Sequence, residues 1–400
     1  MEGKKIIGLA AAVLFGLSCF AAFTLAAAPR SATAPASPEA DEFQAEPPVG
    51  SGTVIVHPKF GGEILGYDID RNGTEGLLSE YVSLGGGANL VATEIFGQKT
   101  GTILKVVAKE KRTTQDDYVT EGIFGSLGLD LFQHAGQNHF LTLNPLHAGK
   151  FTGKWNPPIK KNYQLWTISV SQGTTDVAAY QSSFDTGLTY VFSSNIEKNT
   201  FGRQISLKPI INVDEFFHPQ IALDSKTSQA VLADSQGCPE PSCVSTIALV
   251  DLTTGKISKF SDGLGIGTVN GLAVDPVRGI AVTTTLIDQG VEFYDLAKQT
   301  GFEVQMPNPN VFAAGLDVEF DPIHRVFLVA QFSSTGNLND VQPRIYVYDE
   351  KGNLKESIAL QLRIPISPDK IALNPGKRIG FIQAIVEPIN QGLELQSFAY

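Results

Sequence analysis

Three polar residues stand where chemistry would need them. His218, Asn270 and Asp369 each come just before or at the start of an apolar, strand-like stretch, in "HPQIALD", "VNGLAVD" and "SPDKIALN". An imidazole with a pKa near neutrality can take up or release a proton, so His218 is a candidate general base. An amide and a carboxylate brought beside it would complete a polar ligand-binding site. The run "FQHAGQNHFLTLNPLH" holds His134, His139 and His147, but spacings of 5 and 8 do not place them on one face of a strand. They read as loop residues. Cys238 and Cys243 in "CPEPSC" are expected to form a disulfide in an oxidising compartment, because a metal site would need more thiolate or imidazole ligands than this loop offers. The sequence has no Gly-rich phosphate loop, nucleophile elbow or HExxH stretch.

The elements that must position these residues are repetitive. "IALDSKTSQAVLADS", "LAVDPVRGIAVTTT", "LDVEFDPIHRVFLVAQ" and "IALNPGKRIGFIQA" each read as a strand, an Asx turn and a second, more apolar strand. The turn residues Asp224, Asp275, Asp321 and Asn374 are separated by 51, 46 and 53 positions. An Asx side chain can accept a bond from the backbone two residues on, and a following Pro presets the next φ. The first three segments are followed by an outer hairpin: "STIALVDLTTGKISKF", "VEFYDLAKQTGFEV" and "RIYVYDEKGNLKESI". These turn at Asp251, Asp295 and Asp349 and close at Gly255, Gly301 and Gly352. Two hairpins make a four-stranded unit of about 50 residues, the size of a propeller blade.

The first half carries a blurred version. "EILGYDIDRNGTEGLLSEYV" from Glu63 reads as an outer hairpin, and "ANLVATEIFGQKTGTILKVVAKEK" and "LGLDLFQHAGQNHFLTLNP" read as inner strands. "LTYVFSSNIEKNTFGRQISL" reads as a further outer hairpin. Residues 50–400 at about 50 per unit predict an all-β propeller of seven four-stranded antiparallel blades, with six or eight also compatible. "LELQSFAY" supplies a third strand and "GTVIVHP" the fourth, which closes the ring and removes exposed edges. In that arrangement Asn270, Asp369 and His218 begin their blades at one end of the central channel. Trp155 and Trp166 are expected to pack between blades.

"NGLAVDPVRGIAVTTT…VEFYDL" resembles the β-propeller superfamily that contains NHL-repeat, YVTN-type and gluconolactonase-like proteins. The resemblance runs from Pro219 to Tyr400 and only weakly over Ser51 to Ile210. For the gluconolactonase-like hydrolases it implies that Asn270, in Asn270-Gly271-Leu272-Ala273, helps hold a divalent cation such as Ca²⁺ with oxygen ligands, Asp369 being a second candidate. Here the Pro before Asn270 is missing and Ala314 stands where the family carries an Asp, so the resemblance alone assigns no resident metal.

Composition places the chain. With 42% hydrophobic and 18% charged residues it can build a large core. A net charge of −11 argues against nucleic acid as a partner, since phosphate binding needs a basic face. Lys4, Lys5 and the apolar run from Ile6 to Ala28 read as a signal peptide or an uncleaved membrane anchor. Residues 29–49 read as a Pro/Ala-rich disordered tether and residues 50–400 as the folded domain. "NGT" at Asn72 matches a glycosylation acceptor. The expectation is a secreted or periplasmic, non-catalytic scaffold that binds a protein, peptide or glycan, with no membrane contact beyond the leader. The alternative is a lactonase-type hydrolase or lyase with a cation near Asn270 and Asp369.

Overall fold

A computed structural model describes residues 53–86, 88–112, 119–124, 127–134, 137–143, 151–159, 164–170, 176–182, 189–208, 220–235, 245–260, 269–285, 290–307, 312–334, 342–360, 371–385 and 393–400. His218, Asp369, Cys238, Cys243 and His147 lie outside them.

The described residues form antiparallel sheets, each wound outward from its first strand. After β1 (Ile55–Val56) comes a sheet of β2 (Glu63–Ile69), β3 (Glu75–Gly85), β4 (Ala88–Gly97) and β5 (Ile103–Arg112). The next holds β6 (Val119–Phe124), β7 (Leu127–His134), β8 (Gln137–Leu143) and β9 (Phe151–Lys154). A third holds β10 (Gln164–Val170), β11 (Asp176–Ser182), β12 (Thr189–Asn195), β13 (Thr200–Phe201) and β14 (Ile205–Ser206). Then come β15 (Gln220–Asp224), β16 (Gln229–Ser235), β17 (Ser245–Asp251) and β18 (Ile257–Phe260), followed by β19 (Val269–Asp275), β20 (Ile280–Thr285), β21 (Gly290–Asp295) and β22 (Thr300–Gln305). The last two sheets are β23 (Phe312–Asp321), β24 (Val326–Ser334), β25 (Gln342–Tyr348) and β26 (Leu354–Ala359), and β27 (Ala372–Asn374), β28 (Ile379–Ile385) and β29 (Leu393–Ala399) with β1 at its edge.

First strands sit beside first strands: β2 by β6, β10 by β15, β15 by β19, β19 by β23, β23 by β27, and β27 by β2. The inner and middle strands β19, β20 and β21 accordingly bury both faces. Phe293 of β21 meets Phe327 of β24 across one interface, and Phe96 of β4 meets Phe381 of β28 across another. Outer strands face water on one side, and β26 accordingly alternates exposed and half-buried residues.

The expectation of seven four-stranded blades is corrected: six sheets have four strands, and the β10–β14 sheet has five. Its outer edge is broken in two, with β13 and β14 both pairing to β12. Between them Gly202 donates to Ser193 O at 2.8 Å, so near that a Cβ would fall 2.2 Å from Ser193 Oγ. The reading of the first half is also corrected. "EILGYDIDRNGTEGLLSEYV" is the inner hairpin β2–β3, and "ANLVATEIFGQKTGTILKVVAKEK" is the outer pair β4–β5. "LGLDLFQH" and "QNHFLTL" are the two middle strands of their sheet. β3 and β4 are both buried along most of their length, so composition could not separate inner from outer there. His134 ends β7 and His139 lies in β8, so neither is a loop residue.

Closure follows the expected scheme. β1 pairs with β29 through Ile55↔Gln396 and Val56↔Leu395, extended by Ser397 N to Val54 O at 2.9 Å. Three of the four Asx turns also form as expected; at Asn374 the amide instead donates to Gln98, and Pro375–Lys377 follow as a 3-10 turn. In Asp224, Asp275 and Asp321 one carboxylate oxygen accepts the N–H groups two and three residues on. In the outer hairpins, the Thr254 N–H with its neighbours holds the Asp251 carboxyl below its ordinary range, and the Lys298 ammonium and N–H do the same for Asp295. The left-handed residue of the Asp295 turn is Gln299, at φ 56°, not Gly301.

Candidate binding groove and polar seam

The inner turns all emerge on one rim, and their basic side chains tie neighbouring sheets together. Lys226 Nζ donates to Val277 O at 2.9 Å. Arg325 pairs with Asp275, Arg278 with Glu350 at 2.6 Å, and Arg378 with Glu356 at 3.7 Å. Lys377 donates to Gly73 O, and Asn374 Nδ2 reaches Gln98 Oε1 at 2.8 Å. Arg325 and Arg378 are the fifth residues of their turns, counted from Asp321 and Asn374, and each reaches back to the preceding sheet. In the turn from Asp275 the fifth residue is Gly279, and in the turn from Asp224 it is Ser228, held at φ 55°. Its hydroxymethyl group is too short to bridge.

A groove opens there, between the five-stranded sheet and the β15–β18 sheet. Its volume is about 460 Å³ and its walls are Asp176, Asn195, Thr200 and Phe201 on one side and Ser225, Ser228 and Thr253 on the other. Val177, Leu223 and Leu252 add apolar surface. The lining holds no Lys or Arg. Its shape is kept from behind: Trp155, fully buried, donates Nε1 to Ser194 Oγ at 2.9 Å and stacks on Phe201 at 6.3 Å. Trp155 thus packs between sheets, as its residue type suggested. Asn195 Nδ2 donates to Asp176 Oδ1 at 2.8 Å, which orients the groove's carboxylate. Hydroxyls, one amide, one carboxylate and an aromatic ring suit a neutral polar ligand with some apolar surface.

The sheet closed by β1 has a seam of its own. Arg71, in the β2–β3 turn, reaches past β27 to Glu319 of β23 at 2.8 Å. Burial works against the guanidinium charge, and Glu319 and then Asp68 more than offset it, so Arg71 is held above its ordinary range. Arg71→Met is expected to lower stability by about 2 kcal/mol, because Glu319 is left mostly buried without its partner, whereas Arg71→Met with Glu319→Met recovers most of the loss. Denaturant midpoints at constant m-value check both. Beside this pair, Asp321 takes the Tyr400 hydroxyl at 2.9 Å and His324 Nδ1 at 2.7 Å.

Of the residues singled out for the channel mouth, Asn270 alone can be located. It is buried within β19, and its amide donates to Gly315 O of β23 at 2.9 Å, tying two inner strands together. Gly271 beside it allows that approach, since a Cβ there would lie 2.5 Å from Val318 N. Among the described residues no three His, Cys, Asp or Glu side chains are grouped to hold a metal ion. Asn72 is exposed at the tip of the β2–β3 turn. The groove escaped sequence reasoning, although one signal was present: Ser228 where two of the three other turns carry Arg325 and Arg378.

Neither a protein-family model nor a curated protein matches the chain. Solved structures do. A chain of the Mitotic Checkpoint Complex is 11% identical with a TM-score of 0.56, over 94% of this chain and 98% of that one. The RRP9 WD40 repeats are 12% identical with a TM-score of 0.53, over 86% and 96%. The WD40 β-propeller domain of Doa1 is 12% identical with a TM-score of 0.51, over 87% and 96%. The likeness is one of fold: the chain is a β-propeller.

Proposed function

We propose that this chain is an exported, non-catalytic β-propeller that binds a protein or peptide partner through the groove at Ser228. The observation that carries the reading is the contrast along one rim. The turns at Asp321 and Asn374 send Arg325 and Arg378 back onto the preceding sheet, whereas the turn of the β15–β18 sheet, tied forward by Lys226, places Ser228 at that position beside a polar cleft of about 460 Å³ that holds one carboxylate. A cleft built from hydroxyls and an oriented carboxylate, without a base–nucleophile pair, favours recognition over chemistry. Among solved examples of this fold is a chain of the Mitotic Checkpoint Complex. Lys4, Lys5 and the Ile6 to Ala28 run support export.

Ser228→Arg tests the groove. The new side chain repeats what Arg325 and Arg378 do at their turns, so it fills the cleft at little cost to the fold. Partner retained by the wild-type chain from the extracytoplasmic fraction is expected to fall at least about tenfold with the variant, equivalent to about 1.4 kcal/mol. Equal retention by the two overturns the assignment. Mass spectrometry of the mature N-terminus tests export: cleavage near Ala28 supports it, and an intact leader on a cytoplasmic chain contradicts it.

A further inference from the structure

Residues 57–62 carry the chain from β1, at the outer edge of the closing sheet, to β2, the inner strand of the next. Two carboxylates hold this crossover by its backbone. Glu80 of β3 accepts from Phe60 N and Gly62 N, each at 2.9 Å, and Glu94 of β4 accepts from Lys59 N at 3.0 Å. Glu80 lies opposite Ala92 and Glu94 opposite Leu78, which puts the two on one face in diagonal positions. Both side chains are fully buried. Lys109 Nζ sits 4.1 Å over the Phe60 ring.

Glu94 Oε1 receives no hydrogen bond from the groups that hold the rest of the pair. Two ionised carboxylates in this position would leave a buried acceptor facing a like charge. One proton removes both costs, because a protonated Glu94 donates to Glu80. Burial, opposed by the Lys59 N–H and reinforced by Glu80, pushes the Glu94 carboxyl up to about 7. The charged or titratable groups on the packed elements include His57 and Lys59 on the crossover, Glu63 and Tyr67 on β2, Lys109 and Lys111 on β5 and Glu394 on β29. Of these, Lys59 acts on Glu94, and Glu394 is engaged by His57. A folded-state pKa above the ordinary carboxylate value means that the stabilisation is complete below about pH 4.5 and is lost as pH rises through about 7.

We propose that Glu80 and Glu94 form a proton-operated clasp: one shared proton keeps the crossover docked and β1 closed on β29, and its loss loosens both. Hydrogen–deuterium exchange of the full chain, corrected for intrinsic rates, tests this. Peptides covering 53–62 are expected to exchange at least about tenfold faster at about pH 8.5 than at about pH 5.5. In Glu94→Gln, whose amide keeps a donor toward Glu80, exchange stays slow at both. A wild-type chain with no pH response, or a Glu94→Gln chain with an undiminished one, overturns the clasp. Glu394→Gln separates the neighbouring pair, since loss of the response there would assign it to His57 and sink the proposal. Should Glu94→Gln fail to fold, infrared spectra of the wild type decide: a carboxylic-acid band titrating near neutrality supports the shared proton, and its absence at about pH 5.5 refutes it.

Discussion

Phe293→Ala is expected to lower the stability of the folded chain by about 4 kcal/mol, a large part of the 5–15 kcal/mol that holds most domains. The ring has no exposed surface and sits at the meeting of two sheets. It stacks on Phe302 of β22 at 5.2 Å with planes 6° apart, and meets Phe327 and Tyr348 edge-on, each at 6.1 Å. Strands on both sides are fixed by their ladders, so the void cannot collapse and the surrounding rings lose their contacts. Phe293→Leu, which keeps most of the volume, is expected to cost about 1.5 kcal/mol. Denaturant unfolding followed by fluorescence measures both. A loss below about 1 kcal/mol for the alanine variant would mean that the two sheets do not share this core.

Asp321→Ala is expected to cost about 3 kcal/mol for a different reason. The carboxylate is fully buried and accepts from Ile323 N at 2.7 Å, His324 N at 3.0 Å and the Tyr400 hydroxyl at 2.9 Å, with His324 Nδ1 at 2.7 Å. Removing it undoes the turn cap and strands the Tyr400 hydroxyl at the seam with the closing sheet. That phenol is held well above its ordinary range, first by burial and then by Asp321, so it stays a donor throughout the stable pH range. Tyr400→Phe removes one bond and is expected to cost about 1.5 kcal/mol. The double variant then measures coupling: a cost equal to the sum of the singles would show that the two residues act independently and would contradict the shared hydrogen bond.

The contrast between these residues and the candidate site shows which features a linear chain can carry. Asp224, Asp275 and Asp321 were readable because an Asx turn is local: its acceptor and its donors lie within three residues. The closing pair β1–β29 was readable because an unpaired three-stranded sheet would leave an edge open, whatever the details. Inner and outer strands of the first half were not separable, since "EILGYDI" and "ANLVATEIFG" are both buried on two faces and present the same apolar pattern. The broken edge at Gly202 depends on how closely its backbone approaches Ser193, which no propensity encodes.

Local rules of turn chemistry and period-two alternation thus determined that this chain is built of repeated antiparallel hairpins ending in a closed sheet. Tertiary structure alone decided which side chains meet: that Asn270 ties two inner strands, that Ser228 leaves a groove where Arg325 and Arg378 bridge, and that Glu80 and Glu94 face each other beneath a crossover. The physical reason is separation along the chain. These contacts join residues tens to hundreds of positions apart, and their energies depend on distances and burial that exist only after the sheets have packed.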